Sequence, residues 1–259
     1  MGDHSEASDP GAVARYYDRL AAVYGDGEFF GARRAAVLTA IADEIARPRR
    51  VLDLGCGNGV FAAEFAARAP AAHVVGMDLS PGMLHAAQRR PHGRADFLQG
   101  DAGALPFRSG TFDVVFMSHV LMLVPNMERC VADIATCLAP GGTLIATIGM
   151  GAWRSALGGL PETLLRLRSL LGPRKLRTFD DERRASAACH AAGLRPETRR
   201  APFAVSAPAL EEWIQIRWLT TFAAPLRTLT RLLLPAVRWR TGGRSVQLAE
   251  TVLVATNPA

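Results

Sequence analysis

Several things are scarce in this sequence. Lysine occurs once, at Lys175, so nearly all the basic charge of the 259-residue chain rests on arginine. The four cysteines, Cys56, Cys130, Cys137 and Cys189, are scattered with no C-x-x-C pair. That spacing argues against a disulfide framework or a zinc site and fits a reducing compartment. No apolar run is long enough to cross a bilayer. The opening MGDHSEASDP lacks the basic-then-apolar pattern of a secretory signal, so a cytoplasmic protein is expected. No internal repeat or low-complexity tract is visible, and no zinc-finger, RNP-like or homeodomain signature appears.

What is present is apolar. Hydrophobic residues make up 49% of the chain and charged residues 21%, a composition for one globular domain with decoration. Charge is unevenly divided. Residues 1–149 carry 13 basic and 16 acidic side chains and residues 150–259 carry 17 and 8, a net of −3 against +9. An anionic partner and a solvated arginine-rich face both account for this asymmetry.

The rhythm of the chain is that of alternating strands and helices. Residues 11–46 have helical spacing and stop before Pro48. Apolar runs at Val51–Leu54, His73–Met77, Ala95–Gln99, Phe112–Met117, Thr143–Ile148, Glu197–Val205 and Val246–Ala255 read as strands. Helical patterns occupy Val60–Arg68, Met83–Arg90, Met127–Leu138 and Asp181–Ala192, the last ending at Gly193. Such alternation implies βαβ units, a largely parallel sheet and helices on both faces. Residues 1–48 are expected as an N-terminal helical lid and 49–150 as a ligand-binding core. Two stretches break the rhythm, 151–178 and 208–240, and are expected as helical insertions forming a substrate cap.

One stretch raises the question of ligand directly. VLDLGCGNGVFAAEFAAR, residues 51–68, passes from strand to helix through Gly55, Gly57 and Gly59. Glycine there permits a tight turn and the close approach of backbone amides to a ligand. A dinucleotide turn needs G-x-G-x-x-G, and Val60 stands where its third glycine belongs. The spacing is instead G-x-G-x-G, preceded by Asp53. A second acid, Asp78, ends the strand HVVGMD, a position from which a carboxylate can accept bonds from two ribose hydroxyls. A third, Asp101, follows in QGDAGALPF.

DLGCGNG resembles the first motif, D/E-x-G-x-G-x-G, of the class I S-adenosylmethionine-dependent methyltransferases. TFDVVFMSHVLMLV and LAPGGTLIATI are similar to the later motifs of its small-molecule branch, which includes ubiquinone- and menaquinone-pathway enzymes. The matching motifs run in order over residues 50–150, roughly two fifths of the chain. The resemblance implies an α/β, Rossmann-like sheet of seven strands, mostly parallel with the last strand antiparallel. It also implies S-adenosyl-L-methionine as cofactor and a small-molecule acceptor, with no nucleic acid.

By the same resemblance the cofactor is bound by Tyr16, Asp53, Gly55, Cys56, Gly57, Gly59, Asp78, Leu79, Met83, Asp101, Ala102 and Ser118. Within that set Asp101 takes the adenine amino group, Ala102 meets a ring nitrogen through its amide, and Leu79 and Met83 pack on the adenine faces. Asp53 supports the glycine loop and reaches the amino-acid end of the cofactor through water. YYDRLAAVYG resembles the segment that closes over the cofactor, placing Tyr16 or Tyr17 at cofactor or substrate. Structural alternatives stand beside these roles: a plain tight turn for the glycines, a helix cap for Asp78, a loop acid for Asp101, helix packing for the tyrosines.

Methyl transfer from a sulfonium is an in-line displacement, so collinear positioning supplies much of the acceleration and a dedicated base is optional. His119 and Tyr17 are the catalytic candidates. His119 lies just past the fourth strand, at the edge where such sheets bind ligands, and titrates near neutrality. Its alternative is packing beside the cofactor. Relatives often carry a polar pair where this chain has Met122 and Leu123, which suggests an apolar floor. His85 is expected on a helix surface and His190 partly buried.

Absences narrow the acceptor. SHVL replaces the (D/N)PP(Y/F) common in enzymes that methylate amino groups of nucleic-acid bases, and no Pro-Cys pair is present. A small, hydrophobic or aromatic metabolite is the expected acceptor, in secondary or quinone-type metabolism. PLRTLTRLLLPAVRWR, residues 225–240, with WIQIRWLTTF, could roof an apolar pocket or rest weakly on an anionic membrane surface. Arg174, Lys175 and Arg177 could clamp an acidic acceptor or simply be solvated. Two other functions compete: an enzyme that binds the cofactor but catalyses another reaction, such as a cyclisation, and a nucleic-acid or protein methyltransferase.

Overall fold

The computed structural model describes residues 9–21, 24–91, 93–149, 181–219 and 245–258. Among these, seven strands form one sheet in the order β3-β2-β1-β4-β5-β7-β6. The strands are β1 (Arg50–Leu54), β2 (His73–Asp78), β3 (Ala95–Gln99), β4 (Phe112–Ser118), β5 (Leu138–Gly149), β6 (Arg195–Val205) and β7 (Val246–Thr256). The first five pair in parallel, and β7 runs antiparallel to both β5 and β6. The helices are α1 (Pro10–Leu20), α2 (Glu28–Ala40), α3 (Val60–Arg68), α4 (Pro81–Gln88), α5 (Met127–Cys137), α6 (Asp181–Ala191) and α7 (Ala207–Leu219).

Strand sequences explain why helices cover both faces. Consecutive residues of a strand point to opposite sides, and here both sets are apolar. Leu52, Val115, Met117 and Leu144 join the α5 and α6 side chains in one core. Val51, Val114, Phe116 and Ile145 join those of α2 and α3 in another. A sheet buried on both faces reads as continuous apolar runs, which is why the strand spacing was visible. Beyond its α2 side, a further apolar cluster of Phe29, Phe30, Phe203 and Leu210 lies between α2, α7 and the β6–β7 edge of the sheet.

Element ends follow local chemistry. Ser80 caps α4 by accepting the Met83 amide proton at 3.0 Å, with Pro81 at the first helical position. The helix therefore starts two residues before the expected Met83. Asn126 caps α5 in the same way. His190 is exposed rather than partly buried, because Ala188 and Cys189 take the buried face of α6. The first part of the expected 208–240 insertion is helical, as α7. The rest of it, the 151–178 insertion, Arg174, Lys175, Arg177 and the 225–240 segment lie outside the described residues.

The order of the sheet sets the place of a site. Chain connections leave β1 and β4 in opposite directions, and ligands of such sheets bind in the crevice beyond the carboxyl ends of those two strands. Of the 1–48 segment, α1 lies over that crevice. α2 instead packs into the sheet core through Val37, Leu38 and Ile41.

Candidate active site

A cleft opens at the carboxyl ends of β1, β2 and β4, covered on one side by α1. Tyr17, Gly55, Gly57, Asp78, Leu79, Met83, Asp101, Ala102, Ser118 and His119 all line it. Residues more than a hundred positions apart thus converge on one space. Tyr16, Asp53, Cys56 and Gly59 do not line it. Asp53 and Cys56 are buried behind the glycine turn, and Tyr16 packs edge-on against Tyr17. Tyr24 also lines the cleft, with its ring edge-on to Tyr17.

The glycine turn is shaped by what surrounds it. A Cβ on Gly55 would come within 2.2 Å of Val120 Cγ2, so the turn must pass bare beneath the loop after β4. Gly57 has φ of +55°, the left-handed region, and its amide donates to Asp78 Oδ2 at 2.8 Å. The other Asp78 oxygen accepts the Ser80 amide proton, also at 2.8 Å. The carboxylate is thereby aimed at the mouth of the turn, with further acceptor capacity on both oxygens. Burial raises Asp78, while the amides of Ser80 and Gly57 work in the opposite sense.

Asp53 and Glu250 each carry a buried oxygen with no hydrogen-bond partner, and of the two only Asp53 lacks a counter-charge. It is 1% exposed, and its Oδ2 has no hydrogen-bond partner. Burial first, and the neighbouring Asp78 carboxylate second, push it up to about 8. An unpaired buried carboxyl is costly unless a partner arrives.

At the opposite wall, α1 is tied down by Asp18. Its Oδ1 accepts from Ser80 Oγ at 2.5 Å and from the Gly82 amide at 2.9 Å, reinforcing the cap of α4. Asp101 accepts the Gly103 amide proton at 2.8 Å, which turns the chain after β3 toward the cleft.

The lining of the cleft beyond β4 differs in character. Val120, Leu123, Val124 and Pro125 form an apolar wall, and Val13 and Pro10 of α1 face it. His119 begins the loop after β4, whose next residue, Val120, lies directly over the glycine turn. His119 is the one non-glycine residue with positive φ among the described residues, at +58°. Its amide donates to Thr147 O at 3.2 Å and Thr147 Oγ1 at 3.1 Å. Its Nε2 lies 3.2 Å from the carboxylate of Glu250 on β7.

Glu250 is fully buried, and Arg33 of α2 donates its Nε to it. Burial pushes Glu250 up, yet the charges and hydrogen bonds of His119 and Arg33 outweigh it and hold the carboxyl at about 2. Sequence reading missed both Arg33 and Glu250. They are 217 residues apart, one inside a helical pattern and one inside an apolar strand. The signal available was the charge in VQLAETVLVA, an acid within a strand otherwise buried on both faces.

Residues 52–146 match the family model described as a methyltransferase domain. Over 136 residues the chain is 38% identical to a demethylmenaquinone methyltransferase of Thermus thermophilus, covering 51% of this chain and 60% of that protein. The chain thus spans less than two thirds of the length of that relative. Among solved structures, the [4+2]-cyclase SpnF superposes with a TM-score of 0.63 at 19% identity, covering 98% of this chain and 97% of that one. A Haemonchus contortus phosphoethanolamine N-methyltransferase, solved with S-adenosylhomocysteine, gives 0.64 at 19% identity, covering 100% of this chain and 61% of that one. At such identities these two likenesses speak for the fold.

Proposed function

We propose, from the premise that residues 52–146 are a methyltransferase domain, that this chain transfers a methyl group from S-adenosylmethionine to a small, largely apolar or aromatic acceptor. The observation that carries the reading is one cleft with two kinds of lining. The glycine turn, Asp78 and Asp101 supply its polar groups, and Val120, Leu123, Val124 and Pro125 an apolar wall.

The residues present fit the cofactor. Asp78 is oriented by two backbone amides with acceptor capacity left for ribose hydroxyls. Leu79, Met83 and Ala102 offer apolar faces to a flat base, beside the acid and amide at Asp101 and Ala102. The orphaned Asp53 oxygen behind the turn suits the positive amino-acid end, reached through water. When bound, S-adenosylmethionine supplies a methyl group on a sulfonium, already activated toward a nucleophile.

What the chain must add is alignment and a dry surrounding. α1, latched by Asp18, covers the cleft from above. The apolar wall orients an acceptor with little charge, and Tyr17 and His119 face it as the polar groups able to hold or take its proton. Acceptors such as quinol-type phenols share these features, in keeping with the relative from Thermus thermophilus.

Asp78→Ala tests cofactor binding. Losing a charged acceptor for two hydroxyls removes about 3–4 kcal/mol, so titration calorimetry on a variant that still melts cooperatively should show S-adenosylmethionine affinity falling by a few hundredfold. An unchanged affinity would remove Asp78 from the site. Deuterium-labelled S-adenosylmethionine, offered with a panel of quinols and polyketide phenols, tests the reaction: a product heavier by one labelled methyl supports it. A product of unchanged composition would instead point to a cyclisation.

A further inference from the structure

The network behind His119 is more than packing requires. A left-handed backbone is strained for any residue with a side chain, least for asparagine, aspartate and histidine. Here a histidine holds that conformation, fastened at both ends. Thr147 receives its backbone amide, and Glu250 receives its ring. Arg33 then ties the assembly together, donating to Glu250, to Ser118 Oγ at 2.9 Å and to Thr147 Oγ1 at 3.0 Å. Four elements, α2, β4, β5 and β7, thus converge on one imidazole at the cleft.

The charges decide what such a network does. A carboxylate against Nε2 needs a proton there, which fixes the ring tautomer. Alone, a buried carboxylate would also hold the ring as an imidazolium, which cannot accept a proton. Arg33 offsets that charge. With that charge offset, a neutral ring can take a proton and is stabilised by Glu250 once it is charged.

We propose that Glu250 and Arg33 are positioning residues for His119: Glu250 fixes a proton on Nε2, and Arg33 balances Glu250 so that the imidazole stands neutral and ready as the base for the acceptor. The proposal rests on the methyl-transfer reading. In the step it serves, an O–H, N–H or acidic C–H bond of the acceptor breaks and its proton passes to the ring. The electron pair left on the acceptor forms the bond to the methyl carbon, and the carbon–sulfur pair goes to sulfur, leaving a neutral thioether. Glu250 from β7 meets the ring, and Arg33 from α2 meets Glu250. Asp78, Asp101 and Tyr17 share the cleft.

The test reads the ring itself. The ligand-free full chain is labelled with 15N-histidine, and His119→Gln identifies the His119 signals among the six histidines. The wild-type ring, once deprotonated, is expected as the Nε2–H tautomer. Glu250→Gln leaves Arg33 unopposed and should move its titration midpoint down by about 1–2 pH units, whereas Arg33→Gln should move it up. S-adenosylhomocysteine titrated into the same samples should bind wild type and Glu250→Gln alike.

An Nδ1–H tautomer in the wild type overturns the proposal even if both variants fail to fold. So does a midpoint that neither variant moves, which would mark the network as packing. Failure of the wild type to bind S-adenosylhomocysteine is a separate outcome. It would defeat the methyl-transfer reading, and with it the role of His119 as base, whatever the ring signals show.

Discussion

Two carboxyl groups flank the cleft at equal depth and behave oppositely. Asp53 and Glu250 are both essentially inaccessible to water, at 1% and 0% exposure. Asp53 meets another carboxylate and is pushed up to about 8. Glu250 meets a guanidinium and an imidazole and is held at about 2. Burial alone therefore decides nothing; the partner does. Glu250 is completed in charge from within the chain, by Arg33 and His119, although its Oε1 has no hydrogen-bond partner. Asp53 has an oxygen without a partner and no counter-charge beside it, as expected of a group whose partner arrives with a ligand.

The largest effect should come from breaking the completed side. Arg33→Ala strands an ionised carboxylate in the core and should destabilise the protein by about 3–5 kcal/mol, read from urea unfolding. Replacing the pair together, as Arg33→Met with Glu250→Leu, should recover much of that loss. If Arg33→Ala costs no more than a surface substitution, the contrast between the two carboxyls collapses. The pH dependence has a definite sign. Because the folded Glu250 value lies below the unfolded one, its stabilisation is present above about pH 4.5 and is lost as pH falls through about 2.

The incomplete side should respond in the other direction. Asp53 is held above its unfolded value, so it opposes folding progressively as pH rises from about 4 to about 8. Asp53→Asn, which copies the protonated carboxyl, should stabilise the ligand-free protein by on the order of 2 kcal/mol at pH 8, roughly 4–8 °C in Tm. Below pH 4 the gain should vanish. The same variant should bind S-adenosylmethionine more weakly, so stability and affinity part company. Stability that falls in Asp53→Asn at pH 8 would mean the carboxylate already has a partner.

The two sides also differ in how far the sequence disclosed them. Gly55, Gly57, Asp78 and Asp101 sit at strand ends within one run of βαβ units, where spacing alone fixes their neighbours. The seven strands were legible for a related reason, since runs buried on both faces stand out from charged helices. Arg33 and Glu250 carry no such spacing. Their meeting depends on α2 packing across β7, a contact set by Val37, Leu38 and Ile41 on one element and Val252 and Val254 on the other. The segment 1–48 reads as uniformly helical, so nothing in it separates α1 over the cleft from α2 in the core. His119 was legible by type and place, whereas its left-handed backbone and its two anchors follow only from tertiary contacts.

That backbone offers the finest test of the contrast. Both His119→Ala and His119→Gly remove the imidazole and leave Glu250 facing Arg33 alone, so the loss of the ring is common to both. They differ only in what a φ of +58° demands. Alanine keeps the strain of a Cβ in the left-handed region, and glycine relieves it, although glycine also gives the unfolded chain more freedom to lose. Because the first effect exceeds the second at such a φ, His119→Gly should be more stable than His119→Ala by about 1 kcal/mol. Urea unfolding of the two variants side by side measures this. Alanine equal to or better than glycine would show that the turn relaxes once the ring is gone, and that the ring's contact with Glu250 holds His119 in a conformation the surrounding chain does not itself impose.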